Sequence, residues 1–187
     1  MDLNTYIKFI KKWEGGLSGD PSDSCSAMYC PTLKDGKKYH TNMGICYSTW
    51  VGTFGTTNDE RFLNMNSEDW FKIFKRGYWD SVRADEFKSF SVGVIVTGMA
   101  WGSGQRQAIK TLQQALNNLG KNVSIDGAIG PKTIQAANEL NERILFDELI
   151  RLREAFFIAI SKPGMKNAKY RKGWLNRLAD YYDTFRP

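Results

Sequence analysis

The reading of this chain turns on residues 3–24, LNTYIKFIKKWEGGLSGDPSDS. Leu3, Tyr6, Ile7 and Ile10 recur at intervals of three, one and three, and Trp13 follows three further on. That spacing lines up their side chains along one stripe, so an amphipathic helix is expected. Gly15 and Gly16 stand where it should stop, because glycine readily takes the left-handed conformation that ends many helices. Glu14 is thereby set at the helix's negative end, where a carboxyl is biased toward its neutral form. Trp13 adds an apolar flank that acts in the same direction. Asp20 and Asp23 follow in a loop of Gly, Pro and Ser.

Hydrolysis of a glycosidic bond commonly needs two carboxyl groups across a cleft. One protonates the leaving oxygen and must be held neutral, so it belongs in an apolar setting. The other activates water or stabilises positive charge on the sugar, and belongs in a polar loop where it stays ionised. Glu14 fits the first description; Asp20 and Asp23 fit the second. Spacing alone would also suit a surface glutamate at a helix terminus.

The motifs decide between these readings. EGG at 14–16, DPSD at 20–23 and TNMGI at 41–45 resemble the signature of the glycoside hydrolase family 108 muramidases, EGG-x-x-x-D-x-x-D followed by T-N-x-G-I-T. That family belongs to the lysozyme-like superfamily. The resemblance implies Glu14 as the catalytic glutamate. It implies Asp23, nine residues on, and Thr41 as the pair that handles water. Asp20, a reserve second acid, and Asn42 are the neighbouring candidates for substrate contact. Two departures stand out. An insertion, CSAMYCPTLKDGKKY, separates Asp23 from Thr41, and Cys46 replaces a threonine. Further on, GYWDSVRADEF and MAWGSGQRQAIKTLQQAL are similar to later family segments, with Gly98 where an acid is usual. IDGAIGPKTIQA and RKGWLNRL resemble the predicted peptidoglycan domain that accompanies the family.

The resemblance thus implies a mainly α, lysozyme-like fold with a small loop and β region near the active site. Residues 1–90 would form the catalytic segment and 91–187 a helical peptidoglycan-binding segment packed with it as one compact unit. The residues give the same helical picture. Residues 15–47 read as loop and short β structure. Helices are expected from near Ser48, from an N-cap at Ser67 through EDWFKIFKRGYWD, and over 91–101. Another carries Ala108, Leu112, Ala115, Leu116 and Leu119 on one face and ends at Gly120. Asp126-Gly127 marks a turn, and Pro131 opens a helix. The last two helices are expected over 142–160 and 173–184.

Sugar rings stack on aromatic faces, which brings in Trp50, Trp70, Tyr78, Trp79 and Trp101. Core packing is the better reading for Trp70. Tyr78 and Trp101, close to glycines and family-like motifs, are the groove candidates. His40, the single histidine, reads as polar loop surface rather than as a catalytic group.

Composition bounds the rest. The 187 residues carry a formal charge of +6, which favours an anionic partner such as a wall polymer. The basic residues are scattered, and Lys34, Lys37 and Lys38 of the insertion are placed to meet carboxylates of peptide stems. No apolar run approaches the roughly 18 residues that span a bilayer, and no export signal opens the chain. The expectation is a monomer that acts on peptidoglycan glycan strands, with no nucleic acid, no stable membrane insertion, no cofactor and no metal. It would be made in the cytoplasm and released to the wall by another route. Three cysteines are too few for a disulfide scaffold. Free thiols are the default; a Cys25–Cys30 disulfide and a zinc site of Cys25, Cys30, His40 and Cys46 are the alternatives. The competing functional classes are a wall-binding or secretion-assisting protein without activity, and a lytic transglycosylase, against which a well-placed second acid would argue.

Overall fold

A computed structural model describes the chain apart from residues 22, 28–30 and 32–35 and the side chains at 24 and 27. Its contacts divide into two compact units, Asp2–Gly77 and Tyr78–Pro187. The join lies ahead of the 90/91 boundary expected from sequence, because the short 3-10 turns Asp80–Val82 and Ala84–Glu86 pack against the helix that begins at Phe90.

The first unit opens with α1, Leu3–Trp13. Asp2 caps it, its carboxylate accepting from the Thr5 N–H at 2.9 Å, and Tyr6, Phe9 and Ile10 form its buried stripe. The glycines do not end it. Glu14 is the C-cap in extended conformation, and neither Gly15 nor Gly16 takes a positive φ. The chain leaves the helix extended because it enters a sheet. Strands β1 (Leu17–Ser18), β2 (Thr41–Asn42) and β3 (Ile45–Cys46) form a three-stranded antiparallel ladder in that order. Ser18 faces Thr41 and Leu17 faces Asn42; Thr41 in turn faces Cys46.

Between β2 and β3 the motif TNMGI makes a two-residue hairpin. Met43 and Gly44 both have positive φ, 45° and 78°, the combination of the hairpin turn that matches strand twist. A methionine is costly there. The Trp70 indole N–H donates to the Met43 carbonyl at 3.0 Å and holds the turn.

Helices α2 (Tyr47–Phe54), α3 (Asp59–Leu63) and α4 (Ser67–Phe74) follow. The N-cap of α4 is Asn66, not Ser67: the Asn66 Oδ1 accepts from Asp69 N–H at 2.8 Å. The helix also ends sooner than its sequence suggests, passing into a π turn at Lys75–Trp79. The core of this unit gathers Tyr6, Ile10, Ile45, Trp50, Phe62, Trp70 and Phe74, all fully buried. Each such side chain contributes about 1.5–3 kcal/mol by leaving water.

The second unit is built round α5, Phe90–Ser103, which is buried along its length from Val92 to Ala100. A helix apolar on every side must be covered on every side. Helices α6 (Gln105–Asn118), α8 (Glu142–Ile160) and α9 (Arg171–Phe185) supply the cover, and α7 (Pro131–Asn138) packs on α6. Gly98 is required in α5. A Cβ there would lie 2.3 Å from the Tyr181 hydroxyl oxygen of α9. Arg153 of α8, buried over the Tyr181 ring, donates to the Gly98 carbonyl at 2.8 Å. Where the family usually has an acid, this chain has a close helix crossing.

The turn after α6 is clamped by Gln113, 1% exposed. Its amide N–H groups reach the Asp126 carboxylate at 2.9 Å and the Ala128 carbonyl at 3.0 Å, and its carbonyl accepts from the Gly127 N–H at 2.9 Å. Hydrogen bonds from the Ala128 N–H and Gln113 hold the Asp126 carboxyl below its usual range.

Candidate active site

The pairing of β1 with β2 brings Thr41 back to Asp23 after the insertion. The Met43 N–H donates to the Gly16 carbonyl at 3.2 Å, so the ladder β1–β2 extends to within two residues of Glu14. Glu14 is half-buried at the end of α1. One turn before it, Lys11 donates to the Ser67 hydroxyl at 3.2 Å and lies 4.9 Å over the Trp70 ring. Burial holds the Lys11 ammonium below its ordinary pKa.

Asp23 is fixed from two sides. Its Oδ1 accepts from the Cys25 N–H at 3.0 Å, and its Oδ2 from the Thr41 hydroxyl at 3.3 Å. The side chain remains 32% exposed, open to solvent between these anchors. Asp20 stands at the turn before it. Its carbonyl accepts from the Asp23 N–H at 3.0 Å, while the residue itself is exposed. Gly19 lets the returning chain approach: a Cβ there would lie 2.2 Å from the Lys38 carbonyl oxygen.

The cysteines differ from every sequence expectation. Cys25 and Cys46 form a disulfide, with Cα atoms 5.8 Å apart. That removes both thiolates from a zinc site and excludes the Cys25–Cys30 pairing; Cys30 lies outside the described residues. The bond ties the 3-10 turn Ser24–Ala27, which follows Asp23, to the strand position facing Thr41. Loop spacing pointed to the nearer cysteine. The fold chose the one that the ladder sets beside Thr41.

His40 also differs. It is 2% exposed rather than surface, with Nε2 3.0 Å from the Asp20 carbonyl and Nδ1 3.1 Å from Thr41 Oγ1. Its place directly before the motif threonine was the one signal in the sequence. Asn42, expected to touch substrate, points into the core at 5% exposure. Its amide donates to the carbonyls of Phe62 at 2.8 Å and Leu63 at 3.2 Å, so it fastens the sheet to the end of α3.

Tyr78 and Trp101 belong to the second unit, where both are half-buried and meet edge to face with ring centres 4.6 Å apart. Trp50, Trp70 and Trp79 are buried core residues, and Trp79 donates from its indole to Asp85 at 2.7 Å. Of the insertion's lysines, Lys37 and Lys38 are exposed and Lys34 is outside the described residues.

Residues 7–104 match the family described as glycosyl hydrolase 108. The chain belongs to that family. Residues 107–179 match a second family, the predicted peptidoglycan domain. Together they make the chain a peptidoglycan hydrolase. Among solved structures, it is similar to that of Brucella abortus SagA, at 24% identity and a TM-score of 0.74, over 97% of this chain and 94% of the other. That likeness bears on the fold, which is mainly α and lysozyme-like. No curated protein matches. Among the described residues, no helix is long and apolar enough to cross a membrane.

Proposed function

We propose that this glycosyl hydrolase 108 member is an N-acetylmuramidase, cleaving the β-1,4 bond between N-acetylmuramic acid and N-acetylglucosamine. The observation that carries the reading is the Asp23 carboxylate, met by the Thr41 hydroxyl of β2 and by the Cys25 N–H of the 3-10 turn that follows it. Glu14 donates a proton to the glycosidic oxygen as the C1–O bond breaks. A water held by Asp23 and Thr41 attacks C1 from the opposite face and gives its proton to Asp23. A carboxylate that activates water, and does not itself attack the sugar, gives an inverted product anomer. Inversion calls for carboxyl groups roughly 6.5–9.5 Å apart. Exposed Asp20 would meet polar groups of the glycan.

Glu14→Gln tests this. The amide cannot act as an acid, so clearing of purified peptidoglycan should fall by at least about a hundredfold while the circular dichroism spectrum is unchanged. Retained clearing would remove Glu14 from the mechanism. Anhydro-muramic ends among the wild-type products would instead mark a lytic transglycosylase, and no new ends at all a wall-binding protein.

A further inference from the structure

We propose that His40 is a positioning residue that decides which way the Thr41 hydroxyl hydrogen points, and so whether Thr41 and Asp23 together hold the attacking water as a pair of acceptors. This rests on the muramidase reading for its consequence, but not for its geometry. The Asp20 carbonyl can only accept, so the His40 nitrogen 3.0 Å from it, Nε2, carries hydrogen. The other ring nitrogen, Nδ1, lies 3.1 Å from Thr41 Oγ1, and that same oxygen lies 3.3 Å from Asp23 Oδ2.

Threonine has one hydroxyl hydrogen for these two neighbours. When the ring is doubly protonated, Nδ1–H donates to Thr41 and Thr41 donates to Asp23. The lone pairs through which Thr41 and Asp23 Oδ2 face each other are then used by the bond between them, while Oδ2 keeps its second lone pair. When the ring is neutral, Nδ1 is an acceptor and draws the Thr41 hydrogen to itself. Thr41 Oγ1 and Asp23 Oδ2 are then both left as acceptors, side by side, which suits the two hydrogens of a nucleophilic water. The neutral ring, which leaves Thr41 and Asp23 to hold one water between them, is the more active form; protonation turns Thr41 from an acceptor for that water into a donor to Asp23.

The Asp23 carboxylate is 4.0 Å from Nδ1. From the loop before it, Asp20 presents its carbonyl, with its own carboxyl in an exposed residue. From β1, the Ser18 carbonyl accepts from the His40 N–H at 3.1 Å. From α2, the Tyr47 N–H donates to the His40 carbonyl at 2.8 Å, and the Tyr47 hydroxyl is bonded to Asp59. The nearby Cys25–Cys46 disulfide does not titrate.

Two measurements test the proposal, one independent of activity. His40 is the chain's only histidine, so its imidazole nitrogens are assigned in an NMR spectrum without ambiguity. In the intact protein the neutral ring should be the Nε2–H tautomer. Asp23→Asn, which removes the facing negative charge, should move the ring's titration to lower pH. An Nδ1–H tautomer, or a titration indifferent to Asp23→Asn, would overturn the proposal even if the enzyme is a muramidase.

The second measurement is the pH profile of peptidoglycan cleavage. His40→Asn places an amide oxygen near the Nδ1 position, where it accepts from Thr41 but cannot be protonated in this range. It should keep activity within about threefold of wild type at neutral pH and lose the histidine-governed acid limb. There the wild type should drop about tenfold per pH unit below the ring's titration. An acid limb unchanged in a folded His40→Asn would refute the switch. If Glu14→Gln stays active, the muramidase reading fails instead, and the tautomer result still stands.

Discussion

Removing the Cys25–Cys46 disulfide is the sharpest perturbation of the first unit. The bond closes a loop with a sequence separation of 21. Cross-linking a chain of that length removes denatured-state entropy equivalent to about 3 kcal/mol at room temperature. The double variant Cys25→Ala/Cys46→Ala should therefore lower the unfolding free energy by about that amount in urea, because both small side chains fit where the sulfurs were. It should also cost activity beyond stability. The Cys25 N–H is one of the two anchors of Asp23, and without the bond nothing covalent keeps it over the ladder. Peptide mapping under non-reducing conditions should show Cys25 joined to Cys46, with Cys30 as the free thiol. Equal urea midpoints for the intact protein and the double variant, or a map joining Cys30 to either partner, would refute the reasoning.

Other outcomes follow from the second unit. Gly98→Ala should lower its stability by about 1–3 kcal/mol, since the new methyl meets the Tyr181 ring; an unchanged urea midpoint would show that α9 gives way freely. The Asp147 carboxyl is held below its usual range by the hydrogen-bonded Arg186 guanidinium, and Glu139 by Lys121 and Gln135. Carboxyls depressed in the folded state contribute stability above their unfolded pKa and lose it as pH falls through the folded one. The urea midpoint should therefore decline as pH drops below about 4. A midpoint that holds level there would show that these exposed pairs contribute nothing.

The helices were legible because burial writes itself as periodicity. The stripe of α1 and the unbroken apolar run of α5 leave few alternatives, and Pro131 marks the start of α7 without help from tertiary contacts. The errors fell at ends. Gly15 and Gly16 looked like a cap, yet the chain there is already committed to pairing with β2, and strand pairing demands extended backbone. Asn66 and Ser67 are both good capping residues, and only packing decides which one faces the open N–H groups.

The site was legible to the extent that it is local. Glu14 and Asp23 sit within one short segment, whereas Thr41 reaches Asp23 through a ladder that no spacing rule encodes across an insertion. The ladder accounts for the rest of what was misread. Alternation along β2 sends Thr41 to Asp23 and Asn42 inward to α3, so the second motif residue fastens the sheet and leaves substrate to others. The same pairing sets Cys46 opposite Thr41, which is why Cys25 bonds across the sheet and not to its near neighbour. It also returns His40 beneath the Asp20 carbonyl, turning a residue that looked like loop surface into a buried one. An insertion is tolerated at this point because both its ends are held: one by the disulfide beside Asp23, the other by Ser18 pairing with Thr41. With the ends fixed, added length costs little more than loop entropy, and the distance between Asp23 and Thr41 does not depend on it.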